Sequence, residues 1–230
     1  MKVIGLIGGM SWESSVVYYR IINEEVKKRL GGLHSAKCLL YSVDFEEIEH
    51  FQSVGDWEKA GKTLGDIALS LENGGADFIV ICTNTMHKVI DDIQENISIP
   101  ILHIADATAY KIKEQGINTV GLLGTRYTME QDFFSTRLES NDIKVMVPNK
   151  EERENVNKII YEELCLGKVQ QTSRDYYKKV IQDLIRNGAE GIILGCTEIG
   201  LLIKPEDVTV PLFDTANIHA LEAVNMSLQK

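Results

Sequence analysis

The chain has 230 residues, 44% hydrophobic and 25% charged, with a formal charge of −10 and a pI near 5.0. That length buries a full core, in one large domain or two small ones. The acidity argues against nucleic acid or an anionic membrane as partner, since the mean field repels a polyanion. Cys38, Cys82, Cys165 and Cys196 are widely spaced, with no CxxC or Cys/His pair at metal-ligand spacing. They are expected to be free thiols in a cytoplasmic protein, with no metal site. The opening apolar run is too short for a spanning helix or a secretory signal, so no membrane association is expected.

Residues 3–7 form an apolar run ending in Gly8-Gly9, a pattern that predicts a buried parallel strand and a tight turn. Ser11 and Ser14 are cap-type residues before a helix over 14–30, with apolar positions at Val16, Tyr19, Ile22, Val26 and Leu30. The turn does not satisfy GxGxxG and no GxxxxGK[ST] occurs, which leaves a modest anion site at a helix N-terminus rather than a nucleotide loop. A strand is expected over 37–43, then an acidic solvated segment over 44–49. An amphipathic helix follows over 57–73, then a strand from Gly75, a helix from Asn84 to about 95, a brief strand over 97–103 and a helix over 104–115.

From residue 120 the pattern restarts. Val120 to Thr125 matches Ile4 to Gly9, Gly188 to Glu198 matches Gly75 to Thr85, and Val208 to Asp214 matches Ile97 to His103, at offsets of 116, 113 and 111 residues. Between them, helices are expected over 128–139, 151–166 and 173–187, with a strand near 144–147. The alternation predicts an α/β protein of two similar, pseudo-symmetric parallel-sheet halves with the active site between them. The first half takes residues 1–103 and 215–230 and the second 104–214, the last helix crossing back to pack on the first half.

Ligands of parallel sheets bind at the carboxyl ends of strands. Just after predicted strands lie Gly8 to Ser11, Thr83 to Thr85, Thr125 to Thr128 and Cys196 to Glu198. In the register of the repeat Thr83 falls opposite Cys196, a pairing suited to removing a proton from one face of a carbon and returning it on the other. A thiol pKa can be lowered at a helix N-terminus, and a possible helical turn follows Cys196. Asn84, Thr85 and Thr197 offer donors to a bound carboxylate as charge builds on it. Thr125 and Thr128 occupy the loop equivalent to 9–12.

Cys-Thr-Asn-Thr-Met-His at 82–87 and Gly-Cys-Thr-Glu-Ile at 195–199 resemble the two signature motifs of the aspartate/glutamate racemase superfamily. The opening Gly-Gly-Met is similar to the aspartate racemase branch, and the resemblance covers essentially the whole chain. It implies racemisation of an amino acid by two bases without a cofactor, in a homodimer, with Met10 and Ser11 in the substrate loop. It also places Thr83 where the family usually carries a cysteine, as in a subgroup of L-specific aspartate/glutamate racemases with a Thr/Cys pair. Cys82, one residue earlier, alternates to the other face of the strand and reads as core. Acid-specific members carry an arginine after the second strand and a lysine before the second motif. Here those stretches, 43–46 and 163–166, hold no cation, so Gln52, Arg126 or Lys168 would have to meet a side-chain carboxylate.

Bland readings stand beside these. Asn84, Thr85 and Thr83 are cap-type residues, His87 and His219 read as structural, and Glu198 reads as a loop brace. Two other functions remain open: a cysteine-dependent isomerase or decarboxylase of a dicarboxylate on the same scaffold, and a non-catalytic amino-acid-binding protein.

Overall fold

A computed structural model describes residues 1–229. The chain forms two compact units, Met1–Ile104 with the segment from His219 onward, and Ala105–Ile218. In the first unit, β1 (Ile4–Gly8) leads to α1 (Trp12–Leu30) and β2 (Cys38–Ser42). Then come α2 (Phe45–Val54), α3 (Trp57–Asn73) and β3 (Phe78–Ile81). A 3-10 turn, Thr85–Val89, runs into α4 (Ile90–Gln94), and β4 (Ile101–Leu102) completes an all-parallel sheet of order β2-β1-β3-β4.

The second unit repeats the plan. α5 (Ile104–Glu114) opens it, followed by β5 (Thr119–Gly124), α6 (Arg126–Glu130), α7 (Asp132–Glu139), β6 (Lys144–Met146), α8 (Lys150–Glu162), α9 (Gln171–Arg186), β7 (Gly191–Gly195), α10 (Ile199–Leu202) and β8 (Leu212–Asp214). Its sheet is parallel with the order β6-β5-β7-β8, the same as the first. Register repeats as well: Ile4 pairs with Phe78, and Val120 with Gly191. These two pairs reproduce the sequence offsets of 116 and 113 residues, so the repeat is structural.

The central strands β1, β3 and β7 are buried along their whole length, as continuous apolar runs require when helices cover both faces of a sheet. α3 illustrates how a helix is chosen. Ala60, Leu64, Ile67, Ala68 and Leu71 make one buried stripe, and the Asp56 carboxylate accepts the Lys59 N–H at 3.1 Å as N-cap. The final helix, α11 (Thr215–Leu228), returns the chain to the first unit. There Lys2 N–H donates to Ser227 O (2.9 Å) and the Ser227 hydroxyl donates to Lys2 O (2.8 Å).

Several elements differ from the sequence reading. The acidic stretch at 44–49 is the beginning of α2: Asp44 caps it, Glu46 and Glu47 face solvent, and Ile48, Phe51 and Gln52 are buried. The helix expected over 128–139 is two, because Gln131 is extended (φ −103°, ψ 152°). The brief strand at 97–103 reaches only two residues beyond Pro100, which has no N–H for a ladder. Cys38 and Cys165 are half-buried, and Cys165 packs against the apolar cluster of the second unit.

Candidate active site

In the first unit the chain leaves β1 through Gly9, at φ 93°, where a Cβ would lie 2.3 Å from Val43 O. Only glycine fits that turn. Gly9 N–H donates to Ser15 Oγ (2.8 Å), and the Ser15 and Ser14 hydroxyls both donate to Ser11 O (3.0 and 2.9 Å). The Ser14 hydroxyl also reaches Cys82 O (3.3 Å), which ties the loop after β1 to the loop after β3. Met10 and Met86 share one apolar cluster with Phe51, and Gln52 Nε2 lies 3.0 Å from Met86 Sδ. Met10, Ser11, Gln52, Thr83, Asn84 and Thr85 are therefore brought to one end of this sheet.

Within that group Cys82 and Thr83 part company. Cys82 is 1% exposed, its N–H donates to Ile7 O, and burial pushes its thiol well up. It is a core residue. Thr83 is half-buried, and its hydroxyl has no hydrogen bond within the chain among the described residues. Asn84, at the head of the 3-10 turn, makes no side-chain cap bond, so capping does not account for it.

Beneath Thr83 lies a buried histidine group, in which His87 and His219 are hydrogen-bonded structural residues, as the sequence reading has them. His87 Nδ1–H donates to Thr83 O (2.8 Å) while its Nε2 accepts the Ile104 N–H (3.2 Å), which fixes the neutral tautomer. His219 donates from Nε2 to Leu102 O (2.9 Å) and accepts the Tyr18 hydroxyl at Nδ1 (2.9 Å). Burial pushes His87 down to about 3, with His219 adding to the effect, and pushes His219 down to about 4. The His87 ring lies 4.6 Å from that of His103. The signal available in sequence was His87 four residues after Thr83, one helical turn away.

In the second unit the loops after β5 and β7 hold the remaining candidates. Gly124 and Gly195 are paired, and a Cβ on Gly124 would lie 2.8 Å from Gly195 O. Thr128, fully buried, packs against both glycines, and Thr125 caps α6 by accepting the Thr128 N–H (3.3 Å). Cys196 follows, 8% exposed. Its Sγ–H donates to Glu198 Oε2 at 3.0 Å, and the Thr197 hydroxyl donates to the same oxygen at 2.7 Å.

Burial pushes the Cys196 thiol well up, and the Glu198 charge adds to the shift. This departs from the sequence reading of a thiol lowered by a helix N-terminus. The helix that follows, α10, has only four residues and supplies little dipole. Glu198 thus accepts hydrogen bonds from both Cys196 and Thr197, which ties the loop after β7 together and sets a carboxylate beside the thiol. Among the described residues no three His, Cys, Asp or Glu side chains gather to hold a metal, and no helix is long and apolar enough to cross a membrane.

The model of the Asp/Glu/hydantoin racemase family matches residues 7–223. The chain belongs to that family. A solved chain from Yersinia pestis is 59% identical with a TM-score of 0.94, covering 100% of both chains. An aspartate racemase homologue from Pyrococcus horikoshii OT3 is 38% identical with a TM-score of 0.87, again over 100% of both. Among curated proteins, the broad specificity amino-acid racemase RacX of Bacillus subtilis (strain 168) is 27% identical over 98% of each chain. As a racemase-family site this one has few cations. Arg126 and Lys168 are both exposed, and the half-buried Glu163 carboxylate, in the stretch before the second motif, accepts the Ser173 hydroxyl (2.6 Å).

Proposed function

We propose that the protein is a cofactor-independent amino acid racemase acting on aspartate and glutamate, with Cys196 as thiolate base and Thr83 serving the opposite face of the α-carbon. The observation that carries this reading is positional. Thr83 and Cys196 follow β3 and β7, which occupy the same place in two sheets of the same order and register.

The proton path is then explicit. Glu198 takes the Cys196 S–H proton, the thiolate removes the α-proton, and the electron pair spreads into the substrate carboxylate as an enediolate. Asn84, Thr85, Thr197 and the loop of Met10 and Ser11 meet that carboxylate, with Thr125 and Thr128 holding the loop after β5. The Thr83 hydroxyl returns a proton on the other face and recovers its own from solvent. Because a threonine hydroxyl is a much weaker acid than a thiol, catalysis is lopsided in the two directions. A side-chain carboxylate is met by Gln52 or by Arg126 or Lys168. The scarcity of fixed cations, together with the likeness to a broad specificity relative, supports slower turnover of neutral amino acids too. The family resemblance also carries the expectation of a cytoplasmic homodimer.

The test is a panel of L- and D-amino acids in deuterated buffer, followed by NMR at the α-proton. Exchange with aspartate and glutamate, unequal for the two enantiomers, is expected. Binding with no exchange for any of them would instead support an amino-acid-binding protein, and loss of carbon dioxide from a dicarboxylate would support a decarboxylase.

A further inference from the structure

The loops after β3 and β7 close by different means, and the difference falls on the residue whose hydroxyl the proposed reaction has to aim. After β7, Cys196 O takes its hydrogen bond from the backbone, the Ile199 N–H at 3.1 Å. After β3 the turn is wound one residue later. His87 N–H goes to Asn84 O (3.1 Å), and Thr83 O is met instead by a side chain, the His87 Nδ1–H at 2.8 Å. At the 113-residue offset of the repeat His87 corresponds to Gly200, where a Cβ would lie 2.8 Å from Asp214 Oδ2. The second unit therefore closes the same loop with no side chain at that position.

His87 is itself held fast. It is 1% exposed, its Nε2 accepts the Ile104 N–H (3.2 Å) at the start of α5, and its ring lies 4.6 Å from that of His103 and 5.7 Å from that of His219. Burying an imidazole is costly unless its nitrogens are hydrogen-bonded, and both are. A fixed donor on Thr83 O sets the whole Thr83–Asn84 peptide, because that unit is planar. Thr83 is β-branched and has few rotamers once its backbone is set, so the plane of that peptide decides where the hydroxyl points.

We infer that His87 is a positioning residue: through Thr83 O it aims the Thr83 hydroxyl at the α-carbon without itself touching substrate. The inference rests on the reading of Thr83 and Cys196 as the two proton-handling groups. It assigns the buried histidine to one face of the reaction, since the loop that carries Cys196 has no counterpart to it.

The partition of deuterium in aspartate tests it. For the enantiomer whose α-proton faces Cys196, that proton moves to the thiolate and exchanges with deuterated solvent. The enediolate then takes a deuteron either from Cys196, with retention, or from the Thr83 hydroxyl, with inversion. His87→Asn keeps an amide donor at the place of Nδ1, whereas His87→Gln sets its amide at the place of Nε2 and loses the bond to Thr83 O. Chiral chromatography with mass detection is expected to show inversion by His87→Gln falling roughly tenfold and retention staying within about twofold of native, as when one reacting group is misplaced by a fraction of about 1 Å. His87→Asn is expected to keep most of the inversion. Retention and inversion falling together in His87→Gln, as loss of a mere brace would give, or His87→Asn inverting no better than His87→Gln, overturns the inference and leaves the reading beneath it standing on native turnover. A native chain that exchanges neither enantiomer, or a Thr83→Ala variant that inverts like the native one, overturns that reading as well.

Discussion

The two strand-end sites occupy the same place in the same fold, yet they are built from opposite chemistry. After β3 the position we propose to react is a hydroxyl, Thr83, whose backbone is held by a neutral, buried histidine. After β7 it is a thiol, Cys196, held through its own proton by a carboxylate. A symmetrical two-base site would carry matched groups with matched supports. On the proposed reading the burden of becoming a base falls on the second unit, with Glu198, whose charge helps to raise the thiol, as the group that accepts its proton.

The largest effect should come from removing the thiol. Cys196→Ala is expected to lower α-proton exchange by about 10³-fold, within the usual range for a positioned acid or base. Full exchange in that variant would end the assignment. Next comes Thr83: Thr83→Ala should cost roughly 10²-fold, mainly in the direction that depends on its proton. Thr83→Cys should bring the rates for the two enantiomers together. If both rates stay as in the native chain, Thr83 has no part in the reaction and the comparison loses one of its sides.

Much of this arrangement was legible in the sequence because it rests on local rules. The repeat predicted two parallel sheets, and period-two alternation put Cys82 in the core and left Thr83 near the surface. α3 was recoverable to the residue, since an Asp cap, an apolar stripe and a glycine stop all agree there. α2 was hidden because its first turn is mostly charged, which resembles a solvated loop until Ile48, Phe51 and Gln52 are seen to share a buried face. The state of Cys196 was not legible for a different reason. Its pKa depends on burial and on which way Glu198 turns, and neither follows from the string Gly-Cys-Thr-Glu.

Glu198 gives the next test. Glu198→Gln removes the negative charge that helps to raise the thiol, so the pH profile for alkylation of Cys196 should move to lower pH. Exchange should nevertheless fall, by about tenfold or more, because an amide cannot accept the thiol proton. A thiol that alkylates more readily while exchange slows marks a proton acceptor, whereas a mere brace would shift the alkylation profile through its charge and leave exchange near the native rate.

The smallest effect concerns the supports of the first site. His87 and His219 are neutral and buried, with folded-state values of about 3 and about 4 against an ordinary 6.5. Between those values the unfolded chain binds protons that the folded chain refuses, so stability is whole above 6.5 and declines as pH falls toward 4. At roughly 1.4 kcal/mol per pKa unit, the loss is of the order of a few kcal/mol. All five histidines lie in the first unit and none between residues 105 and 218, so the weakening is local. Hydrogen exchange at pH 7 and pH 5 should show amides around Leu102, Thr83 and Tyr18 losing protection before those of β5 and β7. His219→Gln, which does not titrate, should flatten that dependence. Equal loss in both units would mean that the histidines do not set the acid limit, and that the two sites differ in their reactive groups but not in what holds them.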